Sequence, residues 1–359
     1  MADTTAQQIS DTFRGTARGI EARTIPAFVA GEELADLADS DPRIVVLTAD
    51  LAHANRTIDF AARHPERFFN VGVAEQNMVS IAAGLASTGL VPFAATFAAY
   101  LALLACEQIR TDCAYTGMPV RLLAHHSGMS LGYYGTSHHA LEDLGIMRSI
   151  AELTVVCAAD ANELRAILRR SLDRPGLEAP AAKPPTPGPK KTAGLPKAAP
   201  LGPMYIRLGR GRDADVYPDV PALEIGKAIR LREGGDLTII ATGSEVRASL
   251  DAAEGLAADG VEARVVDMHT VDPLDRDEVL AAAEETGAIL TVEEHNVTGG
   301  LGSAVAETLA DAGARATLRR HGVPDVHVVL GPPAALYNRY RLDAVGVEAV
   351  AREVIGSHG

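Results

Sequence analysis

Short continuous apolar runs alternate along this chain with segments whose apolar residues recur every three or four positions. Ile25, Phe28, Val29, Leu34 and Leu37 have the helical spacing. IVVLTAD, Ile44 to Asp50, follows an Asp-Pro turn and is apolar almost throughout. Such runs are typical of parallel strands buried on both faces. FFNVG predicts the next strand, and a helix rich in small residues is expected from about Ala74 to Ala86. VPFAATF reads as a strand, Tyr100 to Thr111 as a helix, and VRLLAHH, Val120 to His126, as a strand entering a Gly-rich loop. A helix around Leu141 to Met147, the strand LTVVCAAD and a helix from Ala161 to Leu172 continue the alternation. Strand and helix in strict turn predict a doubly wound parallel sheet.

Residues 173–202 break the pattern with Pro, Ala, Gly and Lys. No apolar periodicity survives there, so the expectation is a disordered or polyproline-like insertion. A basic docking arm built on Lys183, Lys190, Lys191 and Lys197 is the competing reading. PMYIRLGRG, Pro203 to Gly211, is expected to close the first domain as its last strand. Beyond an Asp- and Pro-rich linker, LTIIATGSEV, ARVVDMH, GAILTVEEH and VHVVL (Val326 to Leu330) supply the strands of a second domain. The division is a flexible lead at 1–20, a first α/β domain at 21–212 carrying the insertion, and a second α/β domain at 222–359.

Composition narrows the function classes. The chain has 359 residues, 47% of them hydrophobic and 22% charged, enough for about two ordinary domains. A net charge of −14 argues against a nucleic-acid or anionic-membrane surface. Cys106, Cys113 and Cys157 have neither metal nor redox spacing, which fits a reducing compartment. The polar N-terminus lacks the apolar stretch of a signal peptide. The apolar run near Phe93 to Ala105 falls short of the ~18 residues that span a bilayer. A cytoplasmic protein is expected.

Candidate chemistry gathers in three places. Glu75 stands at a strand-to-helix junction, where the helix dipole favours an ionised carboxylate. The segment His125 to Asp143 holds His125, His126, His138 and His139 among glycines 128, 132 and 135. Neighbouring histidines on extended backbone point to opposite faces, and the helical HxxxH spacing is absent, so a metal is not expected. Histidines that bind a polyhydroxylated substrate or move protons fit better, because imidazole titrates near neutral pH. With seven Phe, eight Tyr and no Trp, the grouping of Phe93, Phe97, Tyr100, Tyr115, Tyr133 and Tyr134 stands out. Core packing is expected for Phe93 and Tyr115, and a ring-stacking wall for Phe97 and Tyr100. Arg207, Arg210 and Arg23 suit a phosphate or, equally, solvent. ATGSEV and TGGLGSAVAE, two Gly-rich strand-to-helix turns, could each cradle an anion; structural turns are the expectation.

From about Arg23 to Ile355 the chain resembles the C-terminal half of transketolase, in the form split over two polypeptides. LTADL, GVAEQNM, PFAATFAAY, the loop ending in TSHH, ALEDLGIMRSI, YIRLGRG, ATGSEV and GGLGSAVAE fall in that family's order. The resemblance implies a pyrimidine-binding domain for thiamine diphosphate followed by a transketolase C-terminal-like domain. It implies that Glu75 hydrogen-bonds the cofactor's aminopyrimidine ring and favours its imino tautomer. Phe97 and Tyr100 would form the aromatic wall, and Asp50 would lie near the cofactor. His138 would contact the donor ketose and move protons. His126, Arg210 and Arg23 would contact substrate phosphate.

Departures from the family pattern carry information. The usual acidic pair in the loop is Tyr133–Tyr134, the usual THQ is Ser137–His138–His139, and Ala54 replaces a phosphate-binding serine. Tyr134 in place of a carboxylate implies a specialised sugar. The family's GDG motif for diphosphate and Mg2+ is missing. The resemblance therefore implies that both are held mainly by a partner subunit, in a two-plus-two heterotetramer. The competing readings are a beta subunit of a 2-oxo-acid dehydrogenase, a deoxyxylulose-phosphate-synthase-like enzyme, and a non-catalytic regulatory module of the same fold.

Overall fold

A computed structural model describes residues 26–172, 202–210 and 215–358. Arg23, the expected lead at 1–20 and all but Gly202 of the expected insertion lie outside the described residues.

The first unit begins with α1 (Pro26–Ser40), β1 (Ile44–Thr48), α2 (Ile58–Arg63), β2 (Phe68–Asn70), α3 (Glu75–Ser87) and β3 (Val91–Phe97). It continues with β4 (Arg121–His125), α4 (Asp143–Arg148), β5 (Thr154–Cys157), α5 (Ala161–Arg170) and β6 (Met204–Arg207). All six strands run parallel. Every residue of β1 is buried, and alternate side chains serve opposite faces. Val45 and Leu47 pack with Met78, Val79 and Ala82 of α3. Ile44 and Val46 pack with Val29 and Leu34 of α1 and Leu164 and Ile167 of α5.

The second unit contains β7 (Ile229–Arg232), β8 (Leu237–Ala241), α6 (Glu245–Ala258), β9 (Ala263–Asp267) and β10 (Thr270–Asp272). After these come α7 (Arg276–Glu285), β11 (Ala288–Asn296), α8 (Leu301–Ala312), β12 (Thr317–Val323), α9 (Pro333–Arg339) and α10 (Ala344–His358). Its sheet has the order β12-β11-β8-β9-β7, with β7 antiparallel at one edge. β10 leaves this sheet and pairs antiparallel with β5, so the first sheet reads β10-β5-β6-β4-β3-β1-β2. The second unit thus supplies the first with an edge strand.

Three expectations are corrected. VHVVL is not a strand: Val326, Val329 and Leu330 are exposed, and the strand of this region is β12, with the sequence TLRRHGV. β12 lies at a sheet edge, so outward polar residues interrupt its apolar pattern. Tyr115 is not core but 86% exposed, just past a turn. The helix from Tyr100 to Thr111 is broken into wide π turns at Tyr100–Leu104 and Ile109–Ala114 around a short α turn. Those turns leave Leu101 and Ala102 in the core while Tyr100 stays half-buried beside the Gly-rich loop.

Strand order turns between β1 and β3: the chain runs from β1 out to β2, then back across β1 through α3. In open parallel sheets the carboxyl ends on either side of such a turn form the ligand crevice.

Candidate active site

Six of the sequence-predicted residues lie along that crevice. Glu75 opens α3 after β2, Phe97 ends β3, Tyr100 follows it, His126 and His138 come from the loop after β4, and Arg210 follows β6. Asp50 follows β1 on the same sheet edge.

Glu75 is the first helical residue of α3, behind Ala74, whose side chain offers no cap. The carboxylate itself therefore sits against the positive end of the helix. It is buried, and the hydroxyl of Thr96 on β3 donates a long 3.4 Å hydrogen bond to its Oε1. Among the described residues no Lys or Arg pairs with it. Such a carboxylate keeps acceptor capacity for something else.

Phe97 is the hub of a ring cluster. Its centroid lies 4.6 Å from His126, 5.4 Å from Tyr100 and 5.7 Å from His138. His138 is held at both nitrogens, Nε2 at 3.0 Å from the Tyr100 hydroxyl and Nδ1 at 2.8 Å from Ser137 Oγ. Tyr134 lies over it at 4.8 Å and is 62% exposed, so it stands on the rim. Burial, and then the Glu75 charge, push the Tyr100 phenol up, so it stays a donor.

His126 has a left-handed backbone, φ 58°, and is fully buried, with Nδ1 unpartnered. Burial pushes its imidazole down to about 2, reinforced by His125, Arg210 and His138. His125 is pushed down to about 3 by burial alone. Both rings are neutral at ordinary pH. His138 is shifted in the same direction, also by burial.

Asn70 was not singled out from the sequence. Its Oδ1 accepts from Asp50 N at 3.0 Å and Gly72 N at 3.1 Å, while its Nδ2 donates to Asp50 Oδ1 at 3.0 Å. It ties the end of β1 to the turn that delivers Glu75. The usable signal was an Asn at a strand end two residues before Gly72, whose φ is 76°. Asp50 itself, at φ 61°, is exposed and makes this link rather than a ring contact.

Arg207 is corrected as a phosphate candidate. It is buried and ion-paired with Asp143, Nε to Oδ2 at 2.7 Å, and it donates to Ala140 O at 3.1 Å and Glu294 O at 2.9 Å. Tyr205 also donates to Asp143, at 2.9 Å. Arg210, three residues on, is exposed and near enough to act on His126. Phe93 is core, as expected. The two Gly-rich turns are structural: Glu293 accepts from Leu301 N and Gly302 N at the start of α8, and Ser244 donates to Glu294. Among the described residues no group of three or more His, Cys, Asp or Glu could hold a metal ion.

The arrangement suits one end of a planar heterocycle. A buried carboxylate accepts from a ring edge, an aromatic wall takes a ring face, and the orphaned His126 Nδ1 offers a further polar contact. The fit extends to the aminopyrimidine of thiamine diphosphate.

The family described as transketolase, pyrimidine binding domain, matches residues 27–181, and the transketolase C-terminal domain matches residues 226–347. The chain belongs to the transketolase family. Its relatives named transketolases are transferases, and the two α/β units are the family's pyrimidine-binding and C-terminal domains. The chain is 38% identical to the 6-deoxy-6-sulfo-D-fructose transketolase subunit of Clostridium sp. (strain MSTE9), over 89% of this chain and 91% of that one. It is 36% identical to the 1-deoxy-D-xylulose-5-phosphate synthase of Heliobacterium modesticaldum over 91% of its length, which spans only 46% of that protein. Among solved structures, a split gene transketolase described as an inactive beta4 tetramer superposes with a TM-score of 0.76 at 39% identity, covering 93% of this chain and 98% of that one.

Proposed function

We propose that this chain is the pyrimidine-binding and C-terminal subunit of a two-subunit transketolase, active only with its partner. The reaction is transfer of a two-carbon ketol unit from a ketose, or ketose phosphate, to an aldose. The observation that carries this reading is the buried Glu75 carboxylate, near enough to Tyr100 of the ring cluster for its charge to act on that phenol, with no Lys or Arg pairing it among the described residues.

Thiamine diphosphate, when bound, supplies the electron sink that makes and breaks carbon–carbon bonds beside a ketone. Glu75 accepts a hydrogen bond from the aminopyrimidine edge, and Thr96 holds the carboxylate rotamer. Phe97 and Tyr100 receive the ring face and exclude water. His126 stays neutral and contacts the substrate together with Arg210. His138, between Tyr100 and Ser137, exchanges a proton with a substrate hydroxyl. Tyr134 on the rim selects the sugar. Asp50 supports the cofactor end of the crevice through Asn70. Arg23 is proposed as a second phosphate contact from the resemblance alone.

The diphosphate and Mg2+ are assigned to a partner subunit that carries the missing half, two copies of each chain completing the assembly. The transketolase subunit of Clostridium and the split gene transketolase support this division. A cytoplasmic site of action accords with three free cysteines. The proposed domain limits are those read from the sequence, 21–212 and 222–359.

The match to a 1-deoxy-D-xylulose-5-phosphate synthase favours a second reading, with pyruvate as donor. One experiment separates them: the chain is reconstituted with its partner and assayed with ketose donors and with pyruvate. Ketose turnover is expected; turnover of pyruvate alone would overturn the assignment. In the same assay Glu75→Ala should abolish activity while the subunits still co-purify.

A further inference from the structure

Among the described residues the second domain contributes no side chain to the ring cluster, yet it grips the loop that carries both site histidines. We propose that Glu294, at the end of β11, is a positioning residue that sets the placement of His126 and His138 by clamping the Gly-rich loop from both ends.

Glu294 Oε1 accepts from Met129 N at 2.5 Å and from the Tyr337 hydroxyl at 2.6 Å. Its Oε2 accepts from Ser244 Oγ at 3.1 Å. Met129 is three residues beyond His126. At Gly128, φ 58°, any Cβ would run into this carboxylate, so the loop backbone lies directly on it. The far end of the loop is reached through the backbone. Glu294 O accepts from Arg207 Nη2 at 2.9 Å, and the same nitrogen donates to Ala140 O at 3.1 Å, two residues past His138. Gly128 and Ala140 pair with each other, N to O at 3.1 and 3.0 Å, and close the base of the loop. At the tip, Gly331 N donates to Gly132 O at 3.1 Å and Leu330 packs where a Cβ on Gly135 would go.

A buried carboxylate with three donors is costly to rearrange, because each donor left behind is an unpaired polar group. That cost is what makes Glu294 a fixed reference for the loop. Tyr337 and Ser244 hold the carboxylate from the second-domain side, and the loop amide takes the second lone pair of Oε1. The role rests on the proposed function only in its kinetic consequence; the clamp itself is a property of this chain alone.

The test compares wild type, Glu294→Gln and Tyr337→Phe. In the full chain, hydrogen exchange of peptides covering residues 126–140 should accelerate about tenfold in Glu294→Gln, with β8 and α10 unchanged. Tyr337→Phe, which keeps the carboxylate and creates no cavity, should move the same peptides less. With the partner present, Glu294→Gln should lower kcat/KM for the sugar about 10- to 100-fold while cofactor affinity stays within about twofold. Unchanged exchange at 126–140 in both variants would overturn the clamp. Loop acceleration with unaltered kcat/KM would overturn its role in positioning. If no sugar is turned over even by wild type, the exchange result still decides the clamp, and the functional reading alone fails.

Discussion

The two sheets of this chain share one architecture and use their carboxyl edges in opposite ways. On the first sheet the edge carries Glu75, Phe97, His126 and Arg210, with Asp50, Tyr134 and Arg210 open to solvent. On the second the equivalent edge ends in Glu293, Glu294 and His295, and all three are consumed internally. Glu293 fills the start of α8, Glu294 seats the Gly-rich loop, and His295 Nε2 accepts from Gly145 N at 3.3 Å. A helix N-terminus behind a Gly-rich turn is an anion site only when no neighbouring carboxylate already occupies it. Fold supplied the same opportunity twice; side chains kept one and closed the other.

Exchanging Glu75 and Glu293 for Gln should separate the edges most sharply. Glu75→Gln should reduce turnover of the reconstituted pair by about 10²–10⁴-fold with unfolding unchanged. Glu293→Gln should leave turnover close to wild type and lower stability by about 1–3 kcal/mol, since one amide at α8 loses its acceptor. The reverse pattern would remove the distinction between the edges.

Next in size is the ion pair within the first domain that fixes Arg207, whose guanidinium also reaches Glu294 O on the second sheet. Asp143→Ala leaves Arg207 buried without its carboxylate and should cost about 3–5 kcal/mol in urea unfolding, because the charge stays desolvated. A loss below about 1 kcal/mol would mean that water replaces the partner and that the junction is looser than its geometry.

The gentlest tests are the pH slopes, at most about 1.4 kcal/mol per pH unit for each group, and they have opposite signs. His125 and His126 are depressed to about 3 and about 2 by burial, so the unfolded chain binds more protons below its ordinary imidazole pKa of about 6.5. Their contribution favours folding above that pH and is lost as pH falls toward the folded values. At the domain junction Asp267 is raised to about 7 and Glu163 is raised too, both chiefly by burial, with Tyr217 donating to Asp267 at 2.6 Å. These carboxyls keep a proton that the unfolded chain releases near pH 4, so their contribution is full in acid and declines as pH rises toward about 7. Unfolding midpoints against pH should show a steeper acid decline when Asp267→Asn removes the opposing slope. A shallower decline would contradict the raised carboxyls at this junction.

Much of this was legible in the order of residues. β1, β3, β4, β8 and β11 are buried on both faces, so their apolar runs announce them without reference to the rest of the chain. β7, β10 and β12 were missed because each is an edge or half-buried strand whose outward positions are polar. VHVVL misled for the converse reason: its apolar residues are exposed beside the loop tip instead of paired in a ladder. The separate pieces of the site were readable as residue types at strand ends.

What no local pattern could settle was which strand ends meet. Arg207 and Arg210 are three residues apart and alike in sequence, yet Asp143, 64 positions from Arg207, buries one in an ion pair and leaves the other free to act on His126. The grip of Glu294 on Met129 spans 165 positions. Sequence by itself determined where strands, helices and candidate groups lie, because burial on a strand or helix face imposes a short period. Tertiary structure alone decided which of those groups have partners, because a polar group's role depends on whether the fold brings it a counter-charge, a hydrogen-bond donor or open space.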